Sequence, residues 1–242
     1  MQRSVTLDDD GYALVRDLWS QEQCALAASQ IALDDPTKGG SRNLLALPWC
    51  AALAAQLRSH PLLNAHIPFD SVAVQCTYFE KSEERNWLVP AHQDLSIPVG
   101  EKVENAALRG WSEKEGVLYV QAPPEVLPQL LAVRLHLDEC GAQDGPLRVI
   151  PGSHRAGVLA AGEVQRWRDG GSEVACLAGE GDALLLRPLL LHASSKGSGS
   201  SRRRVLHFVF GPPELPLGLR WPVTVLAEAT VRRLATHNTV AQ

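Results

Sequence analysis

The 242 residues contain no C-x-x-C pair, no unbroken membrane-length apolar run and no excess of basic charge. The five cysteines (Cys24, Cys50, Cys76, Cys140 and Cys176) stand far apart and are odd in number. That spacing excludes the common zinc-knuckle and redox motifs and suits free thiols in a reducing cytosol. The longest apolar runs, 184–191 and 130–137, are broken by Arg187 and Arg134, and neither reaches the roughly 18 residues of a membrane span. The N-terminus has Arg3 and then Asp8, Asp9 and Asp10 in place of an apolar signal core, so the expected location is cytoplasmic. A balance of 23 Lys+Arg against 27 Asp+Glu speaks against a nucleic-acid partner, which calls for a basic face. With thiols set aside, the eight histidines become the main source of metal or acid–base chemistry.

What is present reads as one globular domain over 1–242, with a helical and strand-bearing part (1–70), a β core (about 71–211) and a C-terminal tail (212–242). Residues 11–16 alternate and predict a short strand. Ser20 and Gln23 form an S-x-x-Q capping signature that opens an Ala-rich helix to about Leu33, stopped by Asp34-Asp35-Pro36. A Gly/Ser/Lys loop covers 36–43, and a second helix runs from Pro48 to Arg58. Short strand-like runs follow at 71–79, 95–99, 117–121, 130–137, 147–150, 173–177, 183–191 and 204–210, with Gly/Pro/Asp turns between them. This order predicts a mainly β fold, a jelly roll or sandwich with flanking helices. A last helix is expected at 223–236.

Two H-x-D patterns, His92-Gln93-Asp94 and His136-Leu137-Asp138, compete as metal sites. On a strand, residues i and i+2 share a face, so an imidazole and a carboxylate converge. A two-His-one-carboxylate iron site needs a third ligand from a distant strand. His192, at the end of the run 183–191, stands one hundred residues after His92, with room for the intervening strands. Asp138 is followed by Glu139 and a Gly-rich turn, which reads as a strand end. His92, Asp94 and His192 are therefore the expected ligands, with His136 outside the set. Arg203, inside Arg202-Arg203-Arg204, shares a strand face with Val205 and His207. Its guanidinium fork suits a carboxylate, such as the far end of a metal-chelating diacid, and Ser194 adds a hydroxyl. Gln75, Thr77, Phe79 and Lys81 share one face of another strand.

The stretches NWLVPAHQDLSIPV (86–99), EGVLYVQAPPEVL (115–127), RLHLDECGAQDGPLRVIPGSHRAG (134–157), GDALLLRPLLLHASS (181–195) and RRRVLHFVFG (202–211), with GYALVRDLWSQEQC (11–24), make the chain resemble the phytanoyl-CoA dioxygenase family. These are iron(II)- and 2-oxoglutarate-dependent oxygenases. The resemblance covers nearly the whole chain, in order. It implies a double-stranded β-helix (jelly roll, cupin-like) core braced by N-terminal helices. It carries His92, Asp94 and His192 onto the iron ligands, Arg203 onto the 2-oxoglutarate arginine, and Ser194, Gln75 and Lys81 onto positions near that cosubstrate.

The implied reaction uses Fe(II), 2-oxoglutarate and O2. It hydroxylates an unactivated C–H bond of a small organic molecule and releases succinate and CO2. Desaturation, cyclisation and epimerisation are alternative outcomes of the same chemistry. Because Asp94 is present, the halide-binding variant of the family is disfavoured. A cupin-like module that only binds a metal or small ligand is the reading of another class, and it leaves Arg203 unexplained. Substrate-side candidates are Trp87, Gln121, Arg134 and His154. Trp87 walls the pocket or fills core. Arg134 grips an anionic substrate group or pairs with a structural carboxylate. His154 lies on the turn that the resemblance places at the pocket mouth. The expected partner is a small molecule, with no nucleic acid or membrane, for a monomer or homodimer.

Overall fold

The computed structural model describes residues 5–32 and 39–226. A one-turn helix, α1 (Leu7–Asp10), ends on Gly11 at φ 81°, a left-handed value that glycine adopts without strain. β1 (Tyr12–Val15) follows. The capping box then forms as the sequence predicts. Ser20 Oγ accepts the Gln23 N–H at 3.3 Å, and Gln23 Oε1 accepts the Ser20 N–H at 2.9 Å. It opens α2 (Gln21–Ser29), which stops short of the expected Leu33. The Ser29 hydroxyl donates to Leu26 O at 2.7 Å, and the Gln30 and Ile31 N–H groups bond carbonyls three residues back. The last turn thus tightens and ends the helix. The Asp34-Asp35-Pro36 stop lies outside the described residues, as does the loop up to residue 38.

β2 (Gly40–Ser41) and two helices follow, α3 (Pro48–Ser59) and α4 (Pro61–Asn64). Pro48 starts α3, where its missing N–H costs nothing. The strands are then β3 (Val72–Lys81), β4 (Val89–His92), β5 (Ser96–Val99), β6 (Ser112–Lys114), β7 (Val117–Gln121), β8 (Leu131–His136) and β9 (Leu147–Val149). After helix α5 (Ala161–Gly170) come β10 (Val174–Cys176), β11 (Ala183–Leu186), β12 (His192–Ser194) and β13 (Arg203–Gly211). They pair antiparallel into a six-stranded sheet (β1-β11-β8-β13-β3-β2), a four-stranded sheet (β10-β9-β12-β4) and a three-stranded sheet (β5-β7-β6). The architecture is the expected double-stranded β-helix, with helices on one face of the larger sheet.

Three expectations are corrected. The apolar run 183–191 is two elements, because Pro188 ends pairing and Arg187 and Leu190 close a turn. β11 therefore belongs to the large sheet and β12 to the small one. Helix α5 was not read from sequence because it has no buried face. Side chains hold it instead: Glu163 Oε2 accepts the Ala160 N–H at 2.8 Å and Gln165 donates to Asp169 at 2.7 Å. Within 223–226 there is no helix, and Val225 pairs with Ala73 through N–H···O bonds of 3.0 and 2.9 Å. The rest of the expected helix, 227–236, lies outside the described residues.

Alternation on the central strands separates core from cavity. Leu131, Val133 and Leu135 of β8 and Leu206, Phe208 and Phe210 of β13 pack with Cys24 of α2 and Leu53 and Leu57 of α3. Their intervening neighbours, Arg134 and His136 of β8 and Arg203, Val205 and His207 of β13, face the other way. On β3, Gln75, Thr77, Phe79 and Lys81 share that inner face. A register shift between Val209 and Phe210 lets Val74 and Gln75 both reach the cavity, as a bulge does. All five cysteines are free and buried.

Candidate metal centre and its cavity

β4 is the edge strand of the small sheet, the position that tolerates Pro90. It ends at His92, directly opposite His192 at the start of β12. Asp94 is not on the strand. The sheet-face argument from sequence therefore does not apply, and the chain turns at Gln93 instead. The Asp94 N–H bonds Pro188 O at 2.9 Å. The Gln93 side chain, buried, donates to Gly157 O and Leu189 O (2.8 and 2.6 Å) and accepts the Leu159 N–H at 2.8 Å. These bonds aim Asp94 back at the two histidines.

Ligand-type atoms of His92, Asp94 and His192 lie within 4.8 Å of one another. The two Nε2 atoms stand 3.6 and 3.7 Å from the Asp94 carboxylate oxygens. That is long for a hydrogen bond and right for ligands arranged around a common ion. His92 Nδ1 bonds Pro90 O and His192 Nδ1 bonds Leu190 O, both at 2.8 Å. A carbonyl only accepts, so each Nδ1 carries the proton and each Nε2 lone pair is free for a metal. Burial disfavours the charged form of His192, whereas Asp94 outweighs burial at His92 and draws that imidazole up. Burial works to raise the Asp94 carboxyl, but His192 and His92 outweigh it and hold it below the usual range. The donor set is the two-His-one-carboxylate kind that suits iron(II).

The triad opens on a cavity of about 410 Å³. At its cationic end, Arg203 lies opposite Lys81 in the β13–β3 register. Lys81 Nζ donates to Ser194 Oγ at 2.8 Å and Ser195 O at 2.6 Å. It sits 5.4 Å from the Trp87 ring centroid. Burial, and then the charges of Arg203 and Arg134, push Lys81 down to about 8. Arg203 Nη1 donates to Gly145 O at 2.6 Å, while its buried Nε has no partner among the described residues. Gly145 has φ 63°, and a Cβ there would meet Ser195 O at 2.5 Å. Glycine is what lets this turn approach so closely. Arg202 and Arg204 take the opposite face, as the register predicts. Arg202 forks onto Glu80 (2.9 and 3.1 Å) and Arg204 onto Asp138 (2.8 and 2.6 Å).

The remaining sequence candidates divide. Trp87 and Arg134 line the cavity, as do Gln75 and Ser194. Trp87 is half-buried against Lys81 and is not core. Gln121 does not line the cavity. It is exposed at the strand end, beside Gly110. His154 is not at the pocket mouth either. It packs on Gly11, and its Nε2 lies 3.1 Å from Asp8 O, at the N-terminal helix. His136 is buried outside the triad with neither nitrogen partnered among the described residues, and burial, then Arg134 and Arg203, push it down to about 3. His207, on the strand face shared with Arg203, lines the cavity, and its Nδ1 lies 3.2 Å from Arg134 Nη1. The alternation from Arg203 already pointed to it. Gln93 was missed, and only its tertiary bonds identify it.

The fold is similar to several solved structures. EctD from S. alaskensis in its apoform aligns with a TM-score of 0.65 at 20% identity, covering 92% of this chain and 84% of that one. SnoK, described as a non-heme alpha-ketoglutarate-dependent carbocyclase from nogalamycin biosynthesis, gives 0.63 at 14% identity, over 94% and 87%. HygX from Streptomyces hygroscopicus, with nickel and 2-oxoglutarate bound, gives 0.59 at 16% identity, over 85% and 84%. No curated protein is matched by sequence. The phytanoyl-CoA dioxygenase (PhyH) family description matches residues 7–205, most of the chain, and the chain belongs to that family.

Proposed function

We propose that the chain is an iron(II)- and 2-oxoglutarate-dependent oxygenase that hydroxylates an unactivated C–H bond of a small organic molecule. The observation that carries this reading is the meeting, in one cavity, of the His92/Asp94/His192 triad with the buried cations Arg203 and Lys81. His92, Asp94 and His192 would hold the metal. Bound iron(II), with O2 and 2-oxoglutarate, supplies a two-electron oxidation of the C–H bond coupled to decarboxylation of the cosubstrate to succinate and CO2. Arg203 would grip the far carboxylate through its unpartnered edge. Ser194 and Lys81 would complete that clamp, with Gln75 beside it. Trp87 shields Lys81 from water. Gln93 keeps Asp94 in place while cosubstrate and substrate come and go.

Ring closure is a second outcome that the same residues permit, and it is the activity named for SnoK. A ligand-binding module without turnover is opposed by the buried Arg203 clamp. The test is anaerobic addition of iron(II) and 2-oxoglutarate, followed by visible charge-transfer absorbance, and then succinate release in air. Wild type is expected to show both signals. Asp94→Ala should lose both, and Arg203→Ala should lose affinity for 2-oxoglutarate. A wild type that binds iron but never 2-oxoglutarate would overturn the reading.

A further inference from the structure

We infer that Arg134 docks an oxyanion group of the substrate, which is therefore a small organic acid with an apolar body. The inference rests on the oxygenase reading of the same cavity. Arg134 is 8% exposed, lines the cavity and has no carboxylate partner among the described residues. Its Nε is buried without a partner among the described residues. Its neighbours are the His207 ring, at 3.2 Å, and the face of Phe79, 5.4 Å from the ring centroid. A buried cation left in this state needs an anion to complete it.

Of the cations on the cavity wall, Arg42 is paired with Glu115 at 3.0 Å and Lys114 is exposed, which leaves the buried Lys81, Arg134 and Arg203 against one carboxylate among the described residues, Asp94. The proposed occupants do not redress this imbalance. Iron(II) and 2-oxoglutarate cancel in formal charge, leaving Arg203, Lys81 and Arg134 against Asp94. Burial draws Lys81 down to about 8, and a net positive charge remains even with Lys81 neutral. The thiols whose fields reach Arg134 offer no compensation, since burial raises both Cys140 and Cys176. Arg134 occupies a register position of its own, within reach of the charge of Arg203 but not beside it on the strand. It lies opposite His207 in the register, four residues along β13 from Arg203, or roughly 13 Å of strand. The same cavity also carries Phe79, which packs against Arg134, and Leu95, Ile97, Tyr119 and Trp221. That lining suits the body of a compact acid.

The test uses Mn(II)-loaded protein saturated with 2-oxoglutarate. Melting temperature is followed with acetate against acetamide, and with phenylacetate against phenylacetamide. In wild type the acids should raise the melting temperature and the amides should not, since a charge-assisted bond favours the acid by about tenfold or more. In Arg134→Met the acid preference should vanish, while calorimetry finds 2-oxoglutarate affinity within about threefold of wild type. Arg134→Lys should restore part of the preference. Equal responses to acid and amide in wild type, or no response to either acid, would overturn the proposal without needing any variant. Loss of 2-oxoglutarate binding in Arg134→Met would assign Arg134 to the cosubstrate and overturn it as well. Failure of metal-loaded wild type to bind 2-oxoglutarate would instead sink the oxygenase reading beneath it.

Discussion

Residues 92–94 and 136–138 carry the same His-x-Asp pattern and come to opposite ends. In the first, the strand stops at His92, the chain turns at Gln93, and the carboxylate of Asp94 swings back to face two imidazoles. In the second, β8 runs on to His136 in the middle of the large sheet, and Asp138 is taken by Arg204 through three bonds of 2.6 to 2.8 Å. His136 is left buried with no partner for either nitrogen among the described residues. The pattern is therefore silent on function. Both strands end at the histidine, β4 at His92 and β8 at His136. What decides is whether the following turn brings the acid back to the imidazole, and whether another cation claims it first.

The sharpest way to break this comparison is to remove each acid in turn. Asp94→Ala should lower iron affinity by at least about 100-fold, beyond what losing an outer-shell partner costs. Metal content after dialysis would read it. Asp138→Ala should leave metal content at the wild-type value. Its effect falls on stability, because the Arg204 guanidinium loses its partner in a setting only about a fifth exposed. Urea melts should show a loss of about 2–3 kcal/mol. If Asp138→Ala lost iron and Asp94→Ala kept it, the two motifs would have to exchange roles.

A smaller effect sharpens the first motif. Gln93 holds the turn between its ligands with three hydrogen bonds from a buried side chain. Gln93→Leu keeps the volume and removes the bonds. The expected loss is about tenfold in metal affinity, with little change in melting temperature of the metal-free protein. An unchanged metal affinity would show that the backbone bond from Asp94 to Pro188 suffices.

The two motifs also mark how far the sequence was legible. The order of helices and strands, the capping box at Ser20, Pro48 at the head of α3 and the two-faced alternation of β3 and β13 are all local signals, and they could be read directly. The placement of His92, Asp94, His192 and Arg203 in one cavity was legible through spacing and family resemblance. Three features were not. The split of 183–191 depends on which sheet each half joins, a tertiary fact. Helix α5 buries nothing, so periodicity had no face to report. Gln93 lies between two notable residues, and its importance comes from carbonyls at 157 and 189 that no local pattern reveals. Gln121 points away from the cavity because its place at a strand end does not fix a facing, and His154 lies elsewhere because a resemblance places a segment, while only the fold decides which side of it faces inward.

The smallest expected effect separates His136 from the ligand histidines by pH. Burial, then Arg134 and Arg203, push His136 down to about 3, against about 6.5 in an unfolded chain. It therefore stays neutral in the folded state while the unfolded chain takes up a proton. Between these values the unfolded state binds more protons, so stability rises with pH and levels off above about 7. At pH 5 the cost from this one residue is roughly 1–2 kcal/mol relative to pH 8. His136→Leu fills a similar volume without a titrating group or an orphaned nitrogen. Urea melts of the metal-free variant should match or exceed wild type at pH 8, with a larger advantage at pH 5. A residual acid-side slope is expected, because His207 is buried and pushed down to about 3 by burial and Arg134. If the slope of wild type and His136→Leu were identical, a proton would have to reach His136 in the folded protein. The side chain would then be accessible in a way that its burial at 3% exposure contradicts.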